Sequence, residues 1–256
     1  MGLTGKIAAK LKVMLRPLGH SRIKKGYGRG LIWTHEISDL RYLTGDYEPE
    51  IAEYISNKVT DGFSFVDVGA NAGYYSLLAA SRAKDASQVI LAIEPMKQNI
   101  EQIENHIALN KLAQIKVLPI AVSDSNRELE FSATANLAAN TYNSETAFFQ
   151  NAPKIKIQSK SLDAICTDYS FKKLLLKIDV EGAEADVLRG ASHLLSTTRP
   201  EIILATHECH VKGVEETCLS ILNEAGYACS VIDDQKFVAG QQDYLCVPQD
   251  NVNSAV

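Results

Sequence analysis

Asp67, Gly69, Asn71 and Gly73 fall within one short stretch, Asp67-Val68-Gly69-Ala70-Asn71-Ala72-Gly73. Glycines at those two places let the backbone come close to a ligand where a side chain would collide. Asp67 adds a carboxylate, which when ionised only accepts hydrogen bonds. The run lacks the G-x-G-x-x-G order of a dinucleotide site, and no Gly-Lys-Ser or Gly-Lys-Thr follows as in a P-loop. A second group of chemically able residues lies far downstream: Asp179, Glu181 and His207. Two acids and an imidazole can move a proton or, together, hold a divalent ion.

The elements that must position these residues can be read from the apolar runs. Phe63 to Val68 suits a buried strand, and Tyr74 to Ser81 resumes as a helix. Strand, glycine turn and helix make a nucleotide-binding βα unit, with free N–H groups at the helix start. Asp67 at that turn repels a diphosphate and attracts an ammonium group. The contrast favours S-adenosylmethionine, a sulfonium with an amino-acid tail. Gly69, Ala70, Asn71 and Gly73 then belong to the cofactor turn.

Gln88 to Glu94 is a second buried strand, ending in an acid about 20 residues beyond the turn, where such folds bind ribose hydroxyls. Glu94 is therefore the ribose candidate. Ile115 to Val122 reads as a third strand ending at Ser123-Asp124, a position expected to border the adenine ring. Asn99 to Leu109 reads as a helix with Ile100, Ile103 and Ile107 inward.

Leu174 to Val180 is the fourth buried strand, and Glu181-Gly182-Ala183-Glu184 turns into a helix to about Leu195. Glu201 to Thr206 is the fifth strand, ending at His207-Glu208. An alcohol must lose its proton as it accepts a methyl group, so Asp179 and His207 are read as a proton-accepting pair, with Glu181 beside them. Structural roles stand next to these: Asp179 bonding the cofactor's amino group, Glu181 complementing a helix N-terminus, His207 as a satisfied strand-end histidine. A divalent metal at the three residues is chemically open, but no established ligand spacing is present, so none is assigned.

The rest of the chain bounds the reading. Its 256 residues, 46% hydrophobic and 22% charged, suit one globular α/β domain with an extension. Five scattered cysteines without a C-x-x-C pair read as reduced thiols in a cytosolic protein. Eight basic residues and no acid precede Glu36, leaving 18 basic against 31 acidic residues from Glu36 onward. That balance argues against nucleic-acid binding by the main domain. In the basic arm, Leu3, Ile7, Leu11, Met14 and Leu18 fall at helical spacing. Such an amphipathic helix either packs on the protein or lies on an anionic membrane through residues 1–20.

The expected domains are a lead-in over 1–40 and a main domain over 41–250, interrupted at 128–160 by a hairpin and a polar flap, Ala135 to Pro153. Pro49 is expected in the first turn of a helix over Glu50 to Val59, with Tyr47 and Glu48 just before it and within reach of a ligand. Cys229–Ile232 and Tyr244–Val247 close the sheet as an antiparallel pair. The fold class is a doubly wound, mostly parallel seven-stranded sheet with ligands at the carboxyl ends of its strands.

VDVGANAGYYSLLA, AIEP, AVSD and above all LLKIDVEGAEADVLRGA followed by RPEIILATHE resemble the FkbM family of methyltransferases, over roughly residues 40 to 247. The resemblance implies a class I (Rossmann-like) methyltransferase fold that uses S-adenosylmethionine, usually to O-methylate sugars or secondary metabolites. Where family members often carry Ile-Glu near the end of the fifth strand, this chain has Ala205-Thr206-His207-Glu208. IDVEG after the fourth strand, in place of N/D-P-P-Y/F, favours a hydroxyl or carboxyl acceptor over a nucleobase amine. A nicotinamide-dependent oxidoreductase and a non-catalytic binding module are the alternatives; Asp67 and the missing third glycine weigh against the first.

Overall fold

The computed structural model describes residues 19–35, 40–132, 153–233 and 239–249. The amphipathic arm and almost all of the flap lie outside these residues. Five parallel strands carry the site: β3 (Ser64–Val68), β4 (Ile90–Ile93), β5 (Ile115–Leu118), β9 (Leu174–Ile178) and β10 (Glu201–His207). With β11 (Tyr227–Asp233) and β12 (Gln241–Pro248) they form a seven-stranded sheet in the order β11-β12-β10-β9-β3-β4-β5. β12 runs antiparallel to both neighbours. The order reverses between β3 and β9, which is where an open α/β sheet splays its loops apart and binds ligands.

Alternation along each strand feeds two cores. Phe65, Ile90, Ala92, Leu175 and Ile203 face α2 (Pro49–Thr60), α3 (Tyr74–Arg82) and α4 (Lys97–Asn110). Val66, Val68, Leu91, Leu176, Ile178 and Leu204 face α5 (Leu162–Cys166), α6 (Glu184–Arg189), α7 (Ser192–Thr197) and α8 (Val214–Glu224). Burial on both faces explains why these strands read as continuous apolar runs. Each fully buried Leu, Ile or Phe contributes about 1.5–3 kcal/mol.

The lead-in is tied into the first core. β1 (His20–Arg22) and β2 (Ile32–Thr34) form an antiparallel ribbon, and Ile23, Leu31 and Trp33 are buried with Tyr42 and Tyr74. Trp33 stacks on His106 of α4 at 3.9 Å between ring centroids. A short helix, α1 (Arg41–Thr44), leads to α2, whose first residue is Pro49 as expected.

Four local expectations are corrected. The third strand is two strands, because Pro119 cannot donate to a ladder: β5 stays in the main sheet, while β6 (Ala121–Val122) joins a small sheet with β7 (Arg127–Ser132) and β8 (Lys154–Lys160). The expected β7–β8 hairpin pairing is present in that sheet. The helix expected from Glu181 to Leu195 starts at Glu184 and breaks into α6 and α7 at Gly190-Ala191. Asp163 causes the break: its backbone N–H donates to the Gly190 carbonyl, and its carboxylate accepts from His193 N and Leu194 N at 2.9 and 2.8 Å, capping α7.

The inward face of α4 is Asn99, Ile103 and His106, with Ile100 and Ile107 only half-buried. The polar pair is tolerated because it is hydrogen-bonded. His106 bonds the Ala72 carbonyl through Nδ1 and Thr34 through Nε2, and Asn99 donates to Glu94. The fourth correction concerns the reason for the glycines. Gly69 has φ 82°, and a Cβ there would lie 1.9 Å from the Asp179 carbonyl oxygen. Gly73 has φ 84°, and its Cβ would press on Ile103 at 3.2 Å. Both glycines are required first by the protein's own packing.

Candidate active site

The site is built where β3, β4, β9 and β10 end. After β3 the chain turns through Gly69 and Asn71, both at positive φ, before α3 begins. Gly69 N and Ala70 N donate to the Ile93 carbonyl, which fastens the turn to the end of β4. Glu94 completes that attachment. One carboxylate oxygen accepts from Asn71 N at 2.9 Å, and the other from Met96 N and Asn99 Nδ2. Burial pushes the Glu94 carboxyl up to about 7, although those donors pull the other way.

Asp67 is buried at the last turn of β3. Its Oδ2 accepts from Ser76 Oγ at 2.7 Å, while its Oδ1 is buried with no hydrogen-bond partner among the described residues. Burial raises its pKa against the opposing pull of Lys177 and Ser76. Lys177 is the residue that sequence reasoning missed. It is the register partner of Asp67 on β9, 3% exposed, and donates to Asp179 Oδ2 at 2.7 Å. Its Nζ also lies over the Tyr75 ring at 5.0 Å. Burial alone would lower the lysine pKa; the charges of Asp179, Asp67 and Glu48 outweigh that and hold it above the ordinary value. The available signal was a lone cation inside an apolar strand, Leu174-Leu175-Leu176-Lys177-Ile178.

Asp179, Glu181 and His207 do come together. His207 Nε2 lies 3.5 Å from Asp179 Oδ1 and 3.7 Å from Glu181 Oε2. Its Nδ1 donates to Glu184 Oε1 at 2.7 Å, and that oxygen also accepts from Gly182 N. Glu181 reaches the group from a left-handed backbone position, φ 57°, and its Oε2 takes a 2.8 Å contact from His210 Nε2. Burial would push the imidazole down; the hydrogen bond to Glu184 and the charges of Glu181 and Asp179 prevail and hold it up at about 9. That direction favours the protonated imidazole at neutral pH when no other cation shares the cluster. Glu184 and His210 were not singled out by sequence, because only the fold brings β10 against the start of α6.

Ser123 and Asp124 sit beyond β6 and are engaged locally. Ser123 is buried and donates to Asp124, which also pairs with Arg127 at 3.0 Å. Glu48 does approach the site, accepting from the Tyr75 hydroxyl. Tyr47 stacks on Tyr42 at 4.2 Å and packs near Tyr75. Glu208 turns away and caps α8 through Gly213 N and Val214 N.

Comparison with known proteins agrees with this architecture. The methyltransferase sdnD of Sordaria araneosa is 27% identical over 202 residues, covering 68% of this chain and 76% of that one. An O-methyltransferase from Bacillus cereus, solved in complex with SAH, shares the fold at a TM-score of 0.50 and 12% identity, covering 79% of this chain and 82% of that one. Methyltransferase FkbM from Methylobacillus flagellatus superposes at a TM-score of 0.48 and 17% identity over 72% of this chain, which spans only 44% of that longer one. Residues 67–229, from the carboxylate that opens the glycine turn to the start of the closing strand pair, match the methyltransferase FkbM domain: the chain belongs to the FkbM methyltransferase family.

Proposed function

We propose that this chain is an S-adenosylmethionine-dependent O-methyltransferase acting on a hydroxyl of a sugar, glycan or secondary metabolite. The observation that carries the reading is Asp67 Oδ1, a buried acceptor without a hydrogen-bond partner among the described residues, beside a glycine turn. A buried carboxylate oxygen left unpaired is costly, and an ammonium donor is the chemistry it fits. Glu94 Oε2, which accepts one bond from Asn71 N, keeps acceptor capacity next to the same turn, which suits a ribose hydroxyl. Bound there, S-adenosylmethionine supplies the electrophilic methyl group.

The residues of the chain then divide the work. Asp67, Asn71 and Glu94 hold and orient, with Ser123 and Asp124 on the adenine side as expected from their place in the chain. Lys177 sets a positive charge between Asp67 and Asp179 and bonds the second directly. Asp179, at the edge of the cluster and part-exposed, receives the acceptor's hydroxyl proton as the oxygen reacts. His207 and Glu181 fix its surroundings. Much of the acceleration in such a transfer comes from holding the reacting atoms in line.

Calorimetry with S-adenosylhomocysteine and NAD, followed by a labelled-methyl acceptor screen on Asp179→Asn, tests this. The expected result is binding of the first ligand alone, with kcat in the variant lowered by about 10²-fold or more and cofactor affinity retained. Binding of NAD alone, or undiminished turnover in Asp179→Asn, overturns it.

A further inference from the structure

The contacts around His207 describe more than a proton-handling group. Its ring is 4% exposed, and its Nδ1 is committed to Glu184, itself fully buried. A carboxylate only accepts, so that bond fixes Nδ1 as the donor and directs Nε2 at Asp179 and Glu181. The distances there, 3.5 and 3.7 Å, are too long for hydrogen bonds. They are close to the roughly 3.0–3.5 Å that separates neighbouring ligand atoms when each sits about 2.1 Å from one ion. One oxygen of Asp179, one oxygen of Glu181 and one ring nitrogen of His207 all lie within 4.8 Å of one another.

From this geometry, and resting on the methyltransferase reading above, we infer that Asp179, Glu181 and His207 bind a divalent transition-metal ion at the acceptor end of the site. The donor set says which kind. Imidazole suits zinc and iron, carboxylates suit magnesium and manganese, and one nitrogen with two oxygens suits Mn²⁺ or Fe²⁺. Glu184 is a positioning residue: it holds the imidazole in the tautomer that offers Nε2, the role carboxylates play behind metal-bound histidines. Lys177 bonds Asp179 Oδ2 and leaves Oδ1 as the oxygen nearest the imidazole. Three protein ligands leave coordination positions for acceptor oxygens, so the acceptor class is one that chelates through two neighbouring oxygens, such as a vicinal diol. A metal there lowers the pKa of the bound hydroxyl. The competing occupant of the same gap is a proton on Nε2.

The test is titration of the full chain, after chelator treatment, with MnCl2, reading free Mn²⁺ by electron paramagnetic resonance. Calorimetry with S-adenosylhomocysteine runs in parallel. The expected result is one Mn²⁺ per chain, with affinity lowered at least 10-fold in Glu181→Gln and about 10–100-fold in Glu184→Gln. Both variants should still bind S-adenosylhomocysteine, which shows that they fold. Absence of stoichiometric Mn²⁺ binding, or binding unchanged by both substitutions, overturns the inference and assigns the gap to the proton. S-adenosylhomocysteine binding without Mn²⁺ binding sinks the metal alone; Mn²⁺ binding at these residues without S-adenosylhomocysteine binding supports the metal and sinks the methyl-transfer reading.

Discussion

Asp67 and Lys177 are register partners on adjacent parallel strands, so a buried acid and a buried cation stand side by side at the switch point of the sheet. Asp67 depends on Lys177 for its counter-charge, whereas Lys177 keeps Asp179 as a second partner at 2.7 Å. Removing one partner of a buried pair leaves an uncompensated charge, typically at a cost of about 3–5 kcal/mol. Lys177→Met should therefore destabilise the fold by about 3 kcal/mol and abolish turnover, as read by urea unfolding and methyl transfer. A variant of unchanged stability would show that the lysine only decorates the site.

Asp67→Asn keeps the shape and the bond from Ser76 but removes the charge. Cofactor affinity should fall by about 1.5–3 kcal/mol, the worth of a hydrogen bond to a charged group, while unfolding stability changes little or improves. Calorimetry with S-adenosylhomocysteine checks this, and equal affinity in the two proteins removes Asp67 from the ligand.

Glu94 gives a pH signature with opposite signs for stability and binding. Burial holds its carboxyl at about 7, above the ordinary 4.5. Between those values the folded chain holds a proton that the unfolded chain lacks. The stability linked to this group is present below about 4.5 and lost as pH rises through about 7. Ribose hydroxyls need the ionised acceptor, so S-adenosylhomocysteine should bind more tightly as pH rises through about 7. Glu94→Gln should flatten the stability slope and most of the affinity slope. If the slopes persist in that variant, another group is titrating.

Gly69→Ala should fail as a folding change before it acts as a binding change. The added Cβ meets the Asp179 carbonyl oxygen at 1.9 Å, and the backbone stands at φ 82°. A loss of about 1–3 kcal/mol is expected from overpacking of this kind. Gly73→Ala carries a similar positive φ, 84°, but meets Ile103 side-chain atoms at 3.2 Å rather than backbone, and should cost less. The order of the two melting temperatures decides the matter; a more stable Gly69→Ala protein would contradict the packing account.

The βα unit at Asp67 and the strand ending at Asp179 were legible because both are short apolar runs punctuated by glycine, with both faces destined for burial. The closing β11–β12 pair was legible as short runs each preceded by a glycine, Gly226 and Gly240, although both strands are longer than the sequence indicated. Residues whose environment comes from distant parts of the chain were not legible. Lys177 has Asp179 close in sequence, but Asp67 and Glu48 reach it from other elements, and His106 is admitted to the core by Thr34 and Ala72. The break at Gly190 depends on Asp163, and Glu184 acquires its role only when His207 arrives from β10. Within the cluster, the three expected residues converged as the sequence implied. What the sequence could not supply was the orientation of the imidazole, which one hydrogen bond to Glu184 sets.

The place of β12 has a consequence for how the molecule comes into being. It follows β11 in the chain yet lies between β10 and β11 in the sheet. Synthesis runs from N- to C-terminus, so β10 emerges with an open edge, and β11 emerges with no strand to pair with. Both wait for residues 241–248. An unpaired edge on a nascent sheet invites association with other chains. The two halves of the imidazole cluster, just after β9 and at the end of β10, are thus complete in sequence before the strand that locks them is made. Assembly of the site is therefore a late event, set by the arrival of β12 rather than by the residues that do the chemistry.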